Sequence, residues 1–262
     1  MSLLFDYLRN PLLDDMDVDG LNRLTLHKKI LNQKPMLKEV FSEFHHLFKK
    51  ANLRYLSGEG LEVELGAGIA PMRDSYPEVL ATDIIPSENL DLVINAEQME
   101  FADNSIRVLY GQNCFHHFPN PRAFFKEAER VLVAGGGIIL LEPYYGPLAS
   151  FMYKRLFKTE GFDKLFLDWE TPVTGPMNGA NQALSYIVFK RDREKFAKEF
   201  PTLKIVRYCM VDNYLKYLLS GGLNFKKLCP DILIKPVGFF EAIISPLKRI
   251  FALHYIIVIR KQ

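Results

Sequence analysis

The chain has 262 residues, enough for one α/β domain with an elaborated cap or at most two small domains. Hydrophobic residues make up 48% of it and charged residues 24%, which builds a core and argues against disorder, while a net charge of +2 supplies no basic field to recruit nucleic acid. Three cysteines (Cys114, Cys209, Cys229) at scattered spacing give neither a disulfide framework nor a metal pattern. No uninterrupted apolar run reaches the ~18 residues of a bilayer span, and the amino terminus, with Asp6, Asp14 and Asp15, lacks the basic-then-apolar run of a secretion signal. A cytoplasmic, reducing setting is the expectation.

Residues 1–60 read as helices without strands. Leu21, Leu24, Ile30 and Leu31, then Met36, Leu37, Val40, Phe41, Phe44, Leu47 and Phe48, recur at helical spacing. Pro35 suits the first turn of the second helix, and the Ser57-Gly58-Glu59-Gly60 run ends it. His45 and His46 read as partly exposed residues of that helix, since no acid or cysteine joins them at a neighbouring turn. The segment is expected to lie over a sheet as a helical cap.

Residues 61–83 organise the rest. Leu61, Val63 and Leu65 alternate with Glu62 and Glu64, run into Gly66-Ala67-Gly68, and lead through a Pro-containing stretch to a second strand ending at Asp83. Strand, glycine turn, abbreviated helix, strand and terminal acid open a nucleotide-binding α/β unit. Glycines at 66 and 68 permit a sharp turn and close approach to a ligand. A dinucleotide site wants a further glycine where this chain has Pro71, and Glu64 would repel a pyrophosphate. That carboxylate suits a cationic ligand such as a sulfonium. The pattern Glu64-x-Gly66-x-Gly68 with a distal Asp83 resembles the opening motifs of class I S-adenosylmethionine-dependent methyltransferases.

Onward, residues 90–94 and 106–111 read as strands, and Pro121 opens a helix that the Ala134-Gly135-Gly136-Gly137 run stops. Residues 138–141 read as a buried strand ending at Glu142-Pro143. Strands alternating with helices imply a mostly parallel sheet covered on both faces. Over this stretch the resemblance sharpens. The Asn95-Ala96-Glu97-x-Met99 run, the Phe115-His116-His117-Phe118 loop, Arg130-Val131-Leu132-x-x-Gly135-Gly136 and Glu142-Pro143 are similar, in order, to the ubiquinone/menaquinone-type methyltransferases, of the methyltransferase type 11 kind.

That resemblance implies a doubly wound, seven-stranded, mostly parallel α/β sheet of the Rossmann-like methyltransferase fold. Its helical cap would be residues 1–60, and residues 61–262 the methyltransferase domain, with substrate-side insertions at about 144–200 and 211–252. It implies S-adenosylmethionine as cofactor. Glu64, Gly66, Ala67 and Gly68 would surround the methionine end, with Gln112 or Asn113 meeting it from the fourth strand. Asp83 would bind the ribose hydroxyls, Ile84 would lie beside the adenine, and Asn95, Ala96 and Glu97 would frame the base. Proton removal from an acceptor falls to His116, His117 or Glu142, with Tyr144 as a further choice; structural histidines at a strand exit are the plainer reading. No metal site follows from ligand spacing.

The second half is individual. About sixty residues separate Glu142 from the next strand, 203–210, more than one crossover helix needs. They carry Tyr144, Tyr145, Trp169, Asn178 and Asn181, the expected substrate contacts, in or near a Gly/Pro/Asn-rich loop. The Thr174-Gly175-Pro176-x-x-Gly179-Ala180-Asn181 run looks similar to bacterial methyltransferases of surface polysaccharide or glycolipid synthesis, which implies a sugar hydroxyl as acceptor, a quinone ring being the rival. Residues 203–210 and 254–261 would pair antiparallel. Between them the apolar stretch 237–253 reads as a packed cap helix, with a peripheral membrane contact as the other reading and Pro246 interrupting both. The partner expected is a small-molecule substrate and no nucleic acid. A non-catalytic S-adenosylmethionine-binding module and a nucleotide-dependent oxidoreductase are the readings from other classes.

Overall fold

A computed structural model describes residues 7–14, 17, 20, 22–69, 71–156, 160–173, 175 and 180–262. Seven strands form one sheet in the order β3-β2-β1-β4-β5-β7-β6. The strands are β1 (Leu61–Leu65), β2 (Val79–Asp83), β3 (Leu92–Val93), β4 (Ile106–Gln112), β5 (Leu132–Pro143), β6 (Leu203–Met210) and β7 (His254–Lys261). β1 to β5 run parallel, whereas β7 is antiparallel to both β5 and β6. This is the doubly wound α/β architecture that the alternation of strands and helices implied.

Each central strand sends alternate side chains to opposite cores. One core gathers Val63, Leu65, Leu109, Ile138 and Leu140 under Phe124 and Phe125 of helix α3 (Pro121–Val131). The other gathers Val79, Val108, Tyr110, Ile139, Leu141, Ile256 and Val258 under Met36, Leu37, Val40, Phe44 and Phe48 of helix α2 (Pro35–Tyr55), which follows α1 (Asn22–Asn32). The stripe of α2 is wide enough to bury His45 too, against the expectation of partial exposure, and burial pushes its imidazole down to about 4. The Glu62 carboxylate anchors the same helix from β1. It accepts hydrogen bonds from Lys49 (3.0 Å) and the Tyr110 hydroxyl (2.6 Å) and pairs with Arg107.

Several elements depart from the sequence reading. β3 is only Leu92–Val93, because the Asp91 carboxylate takes the Ala81 N–H (2.8 Å) that a longer edge strand would have bonded. The glycine run does not stop a helix: α3 ends at Val131 and the chain passes straight into β5. Gly137 lies in the strand with its backbone against the Ile259 carbonyl, where a Cβ has no room. Helix α4 (Pro147–Arg155) follows β5, and before β6 come a π-helical turn (Ile187–Arg191) and α5 (Arg193–Glu199).

The segment 237–253 is not a packed cap helix. After α6 (Tyr214–Ser220) come α7 (Ile234–Ile244), a 3-10 turn (Ser245–Leu247) and α8 (Lys248–Phe251), with Pro246 in the break. Phe239, Phe240, Ile243, Leu247 and Ile250 point outward, and the one fully buried residue of α7 is Glu241. Among the described residues no helix is long and apolar enough to cross a membrane.

Candidate active site

The carboxyl ends of β1, β2, β4 and β5 meet at one edge of the sheet. Leu65 pairs with Gly111 of β4 and Glu64 with Ala81 of β2, so the chain leaves β1 between those two strands. Gly66 turns with φ 63°, and a Cβ there would come within 2.7 Å of the Cys114 Cβ. Gly68 turns with φ 56° into open space, its nearest neighbour lying 3.8 Å from a would-be Cβ. One glycine is required by conformation and crowding, the other by conformation alone.

The turn locks onto β2. The Ala67 N–H donates to the Thr82 carbonyl (2.9 Å), and the Gly68 and Ile85 N–H groups donate to the two carboxylate oxygens of Asp83 (3.1 and 3.0 Å). Each oxygen keeps acceptor capacity for a ligand. Ile84, beside it, is 51% exposed. Glu64 is buried and accepts the Met72 N–H (2.6 Å), which starts the 3-10 turn Met72–Asp74 standing in for a crossover helix. Burial, then the charges of Asp74 and Asp83, push the Glu64 carboxyl up to about 8.

Beyond β3, Asn95 accepts the Glu97 N–H (2.9 Å), Ala96 is buried, and Glu97 accepts the Asn120 N–H (2.6 Å), tying this loop to the start of α3. At the exit of β4, Asn113 adopts φ 49° and donates its N–H to the Leu141 carbonyl (2.8 Å). Gln112 Oε1 and Asn113 Oδ1 are buried there without a hydrogen-bond partner among the described residues. Buried acceptors are nearly always paired, so each marks a place where a donor belongs.

The 3-10 turn Phe115–His117 carries the histidines past this point. Glu142, fully buried at the end of β5, accepts the Phe115 N–H (3.0 Å) and meets His116 Nδ1 at 2.6 Å. His116 Nε2 meets Glu160 Oε2 at 3.2 Å, and the other Glu160 oxygen lies 3.8 Å from His117 Nε2. Burial alone would lower the His116 pKa, but the Glu142 charge and both carboxylate hydrogen bonds outweigh it and raise it. Burial would raise Glu160, but His116 and then His117 hold it below the carboxylate range. Both His116 nitrogens are therefore committed, and the His117 and Glu160 side chains, 11% and 21% exposed, are the members that reach outward.

Glu160 is the functional candidate the sequence reading missed. It comes from the insertion after β5, 44 residues beyond His116, and nothing in its local sequence marks it. With it, ligand-type atoms of His116, His117 and Glu160 fall within 4.8 Å of one another, a proximity that spacing along the chain could not reveal. That span admits a small cation, and the His116 imidazolium already supplies a positive charge there.

The expected substrate contacts divide. Tyr144 is buried and Tyr145 half-buried at the β5 exit, with Tyr145 ringed by Tyr144 (4.6 Å), Tyr186 (4.8 Å) and Tyr255 (5.7 Å). Trp169 is instead a core residue: it is fully buried, donates its indole N–H to Asp192 (2.8 Å) and has the Arg122 guanidinium over its ring (4.7 Å). Asn181 is a loop staple, its side chain spent on Asp163 N–H (3.0 Å), Ala183 N–H (3.1 Å) and the Asp163 carbonyl (2.9 Å). Asn178 lies outside the described residues.

Residues 65–140, under a third of the chain, match the family model of a methyltransferase domain. No curated protein matches the chain by sequence. Among solved structures, a Bacillus halodurans protein assigned as a methyltransferase is 18% identical, covers 82% of this chain and 97% of its own, and has a TM-score of 0.41. A SAM-dependent methyltransferase of Thermotoga maritima is 14% identical over 86% of this chain and 99% of its own, with a TM-score of 0.47. Phosphoethanolamine N-methyltransferase 2 of Haemonchus contortus, solved with S-adenosyl-L-methionine, is 12% identical over 81% of this chain and 51% of its own, with a TM-score of 0.43.

Proposed function

We propose, for a chain whose residues 65–140 match the family model of a methyltransferase domain, that the carboxyl edge of its sheet passes a methyl group from S-adenosylmethionine to a hydroxyl of a small acceptor. The donor, when bound, supplies an electrophilic methyl on a sulfonium; the chain aligns it, excludes water and handles a proton. Asp83 would take the ribose hydroxyls with the lone pairs left over from Gly68 and Ile85. Ile84 would lie under the adenine, with Asn95, Ala96 and Glu97 around the base, and Gly66, Ala67 and Gly68 would let the methionine end approach.

One observation carries this reading: the unpartnered Gln112 and Asn113 oxygens beside the glycine turn. An ammonium offers N–H donors to both. A pyrophosphate offers none, so a nucleotide-dependent oxidoreductase fits this edge poorly.

His117 is placed to receive the acceptor proton, and Glu160, His116 and Glu142 position it. A cluster that handles a proton is what a sugar or glycolipid hydroxyl requires. Methylation of a quinone ring is the second reading, favoured by the wall of Tyr144, Tyr145 and Tyr186. Residues 1–60 would serve as cap, residues 61–262 as the catalytic unit, and the insertions at about 144–200 and 211–252 as the acceptor side. The three cysteines are free, which suits a reducing cytoplasm.

Calorimetry tests the reading. S-adenosylhomocysteine is expected to bind, NADH to give no heat, and Asp83→Ala to weaken the former about 100-fold, the loss of a charge-assisted pair of hydrogen bonds. Absence of heat with the demethylated donor overturns the assignment. Binding without methyl transfer to any hydroxyl acceptor would mark a non-catalytic module.

A further inference from the structure

The helices before β7 are turned inside out. In α7 the carboxylate of Glu241 is buried and accepts the Lys216 N–H (2.9 Å), while Phe239, Phe240 and Ile243 are 67%, 61% and 57% exposed. The apolar surface extends to Ile232, 85% exposed, and through Leu247 and Ile250, 47% and 46% exposed. Isolated exposed apolar residues are ordinary, but a continuous run over consecutive short helices marks a surface with something to cover it.

Charge says what covers it. Residues 226–251 carry Lys226, Lys227, Lys235, Lys248 and Arg249. The acids of the same stretch are Glu241, which is buried, and Asp231, which pairs with Lys227 at 2.8 Å; Lys248 lies 3.5 Å from Asp212, and Lys235 and Arg249 are exposed. Outward bulky apolar groups rimmed by bases are the pattern of a helix lying in the plane of an anionic bilayer interface. A second copy of the chain would cover the apolar groups too, but it would set one basic rim against another.

Position says why. β7 runs antiparallel to β5, so His254 pairs with Pro143 and the helices leading into β7 sit at the carboxyl edge of the sheet. The Tyr144 N–H donates to the Leu253 carbonyl (2.7 Å), and the Tyr214 hydroxyl donates to the Ile244 carbonyl (3.3 Å). The apolar face therefore adjoins the tyrosines at the mouth of the proposed site. Next to α8, helix α4 exposes Phe151, Lys154 and Arg155.

We propose that Ile232, Phe239, Phe240, Ile243, Leu247 and Ile250 form a docking face that seats the carboxyl edge of the sheet on an anionic bilayer, where the methyl acceptor is a membrane-borne amphiphile. The acceptor clause rests on the methyltransferase reading; the docking clause does not. A spanning helix is unnecessary for this, and the contact is reversible.

Flotation of the full chain with vesicles of phosphatidylcholine, with and without phosphatidylglycerol, tests it. The chain is expected to float with the anionic vesicles, and Phe239→Ser/Phe240→Ser to lower that partitioning about tenfold. Lys235→Glu/Arg249→Glu is expected to abolish the preference for phosphatidylglycerol. Both side-chain pairs point outward, so circular-dichroism melts and S-adenosylhomocysteine binding should match the wild type and report intact folding. Failure of the wild type to float, or a concentration-dependent dimer that F239S/F240S dissolves while flotation is unchanged, overturns the proposal. Loss of S-adenosylhomocysteine binding by the wild type would sink the functional reading instead and leave flotation to decide docking.

Discussion

Glu64 carries a sharp pH dependence at the scale of one residue. Its carboxyl is raised from 4.5 to about 8, so the folded chain holds a proton that the unfolded chain has released. Stability from this group is therefore lost as pH rises, across the window from about 4.5 to about 8, and the loss is complete above it. Glu64→Gln keeps the neutral form at every pH. Its melting temperature should match the wild type in acid and exceed it by a widening margin through that window. A margin that stays constant with pH would refute the assignment. The same substitution separates the donor from its product: a sulfonium favours ionised Glu64, so E64Q should weaken S-adenosylmethionine more than uncharged S-adenosylhomocysteine, both read by calorimetry. Glu64 and Asp83 were legible because strand alternation and a glycine turn are local signals. The hydrogen bond of Glu64 to Met72 was not, since it depends on a helix that this chain shortens to a single turn.

Elements show where local reading stops. Both strands flanking the glycine turn and both helices of the cap follow from periodicity, yet the glycines at 135–137, which locally predict a helix stop, do no such thing. They belong to a strand that crosses close to its neighbour's backbone. Helical periodicity places apolar residues on one stripe but is silent on whether that stripe faces in or out, so it predicts a packed helix where α7 turns its apolar side outward. Glu160 was invisible for a different reason: its partners lie in another element and the contact exists only once the insertion folds back. Two substitutions test these element-level contacts. Tyr110→Phe removes the hydroxyl between Asn52 of α2 and Glu62 of β1, which should cost about 1–3 kcal/mol in urea unfolding by leaving a buried carboxylate short of a donor. Affinity for S-adenosylhomocysteine should not change, because this network lies behind the sheet. Glu160→Gln should lower kcat about 100-fold at unchanged donor affinity, and should also cost stability, because it removes the carboxylate that His116 and His117 hold ionised. Equal loss of affinity and kcat would instead mean that Glu160 only shapes the donor pocket.

For the molecule as a whole, the proposed docking face, acceptor mouth and donor site share one edge of the sheet. Behind that edge the cap and the second insertion are knitted together: Lys216 bonds Glu39 (3.1 Å) and Glu43 of α2, and Lys34 donates to the Gly222 (2.6 Å) and Phe225 carbonyls. These ties hold α6, and the Lys216 N–H bond to Glu241 joins α7 to it, while α7 and α8 present their apolar side outward. A face set this way should govern access of a bilayer-borne acceptor without entering the chemistry. With an amphiphilic acceptor in anionic vesicles, F239S/F240S should lower kcat/KM about tenfold through KM alone, because the lost binding is uniform between ground and transition state. With a water-soluble acceptor bearing the same hydroxyl but no tail, both constants should equal those of the wild type. A fall in kcat with the soluble acceptor would show that the phenylalanines support the site itself, and the bilayer would then have no part in presenting the substrate.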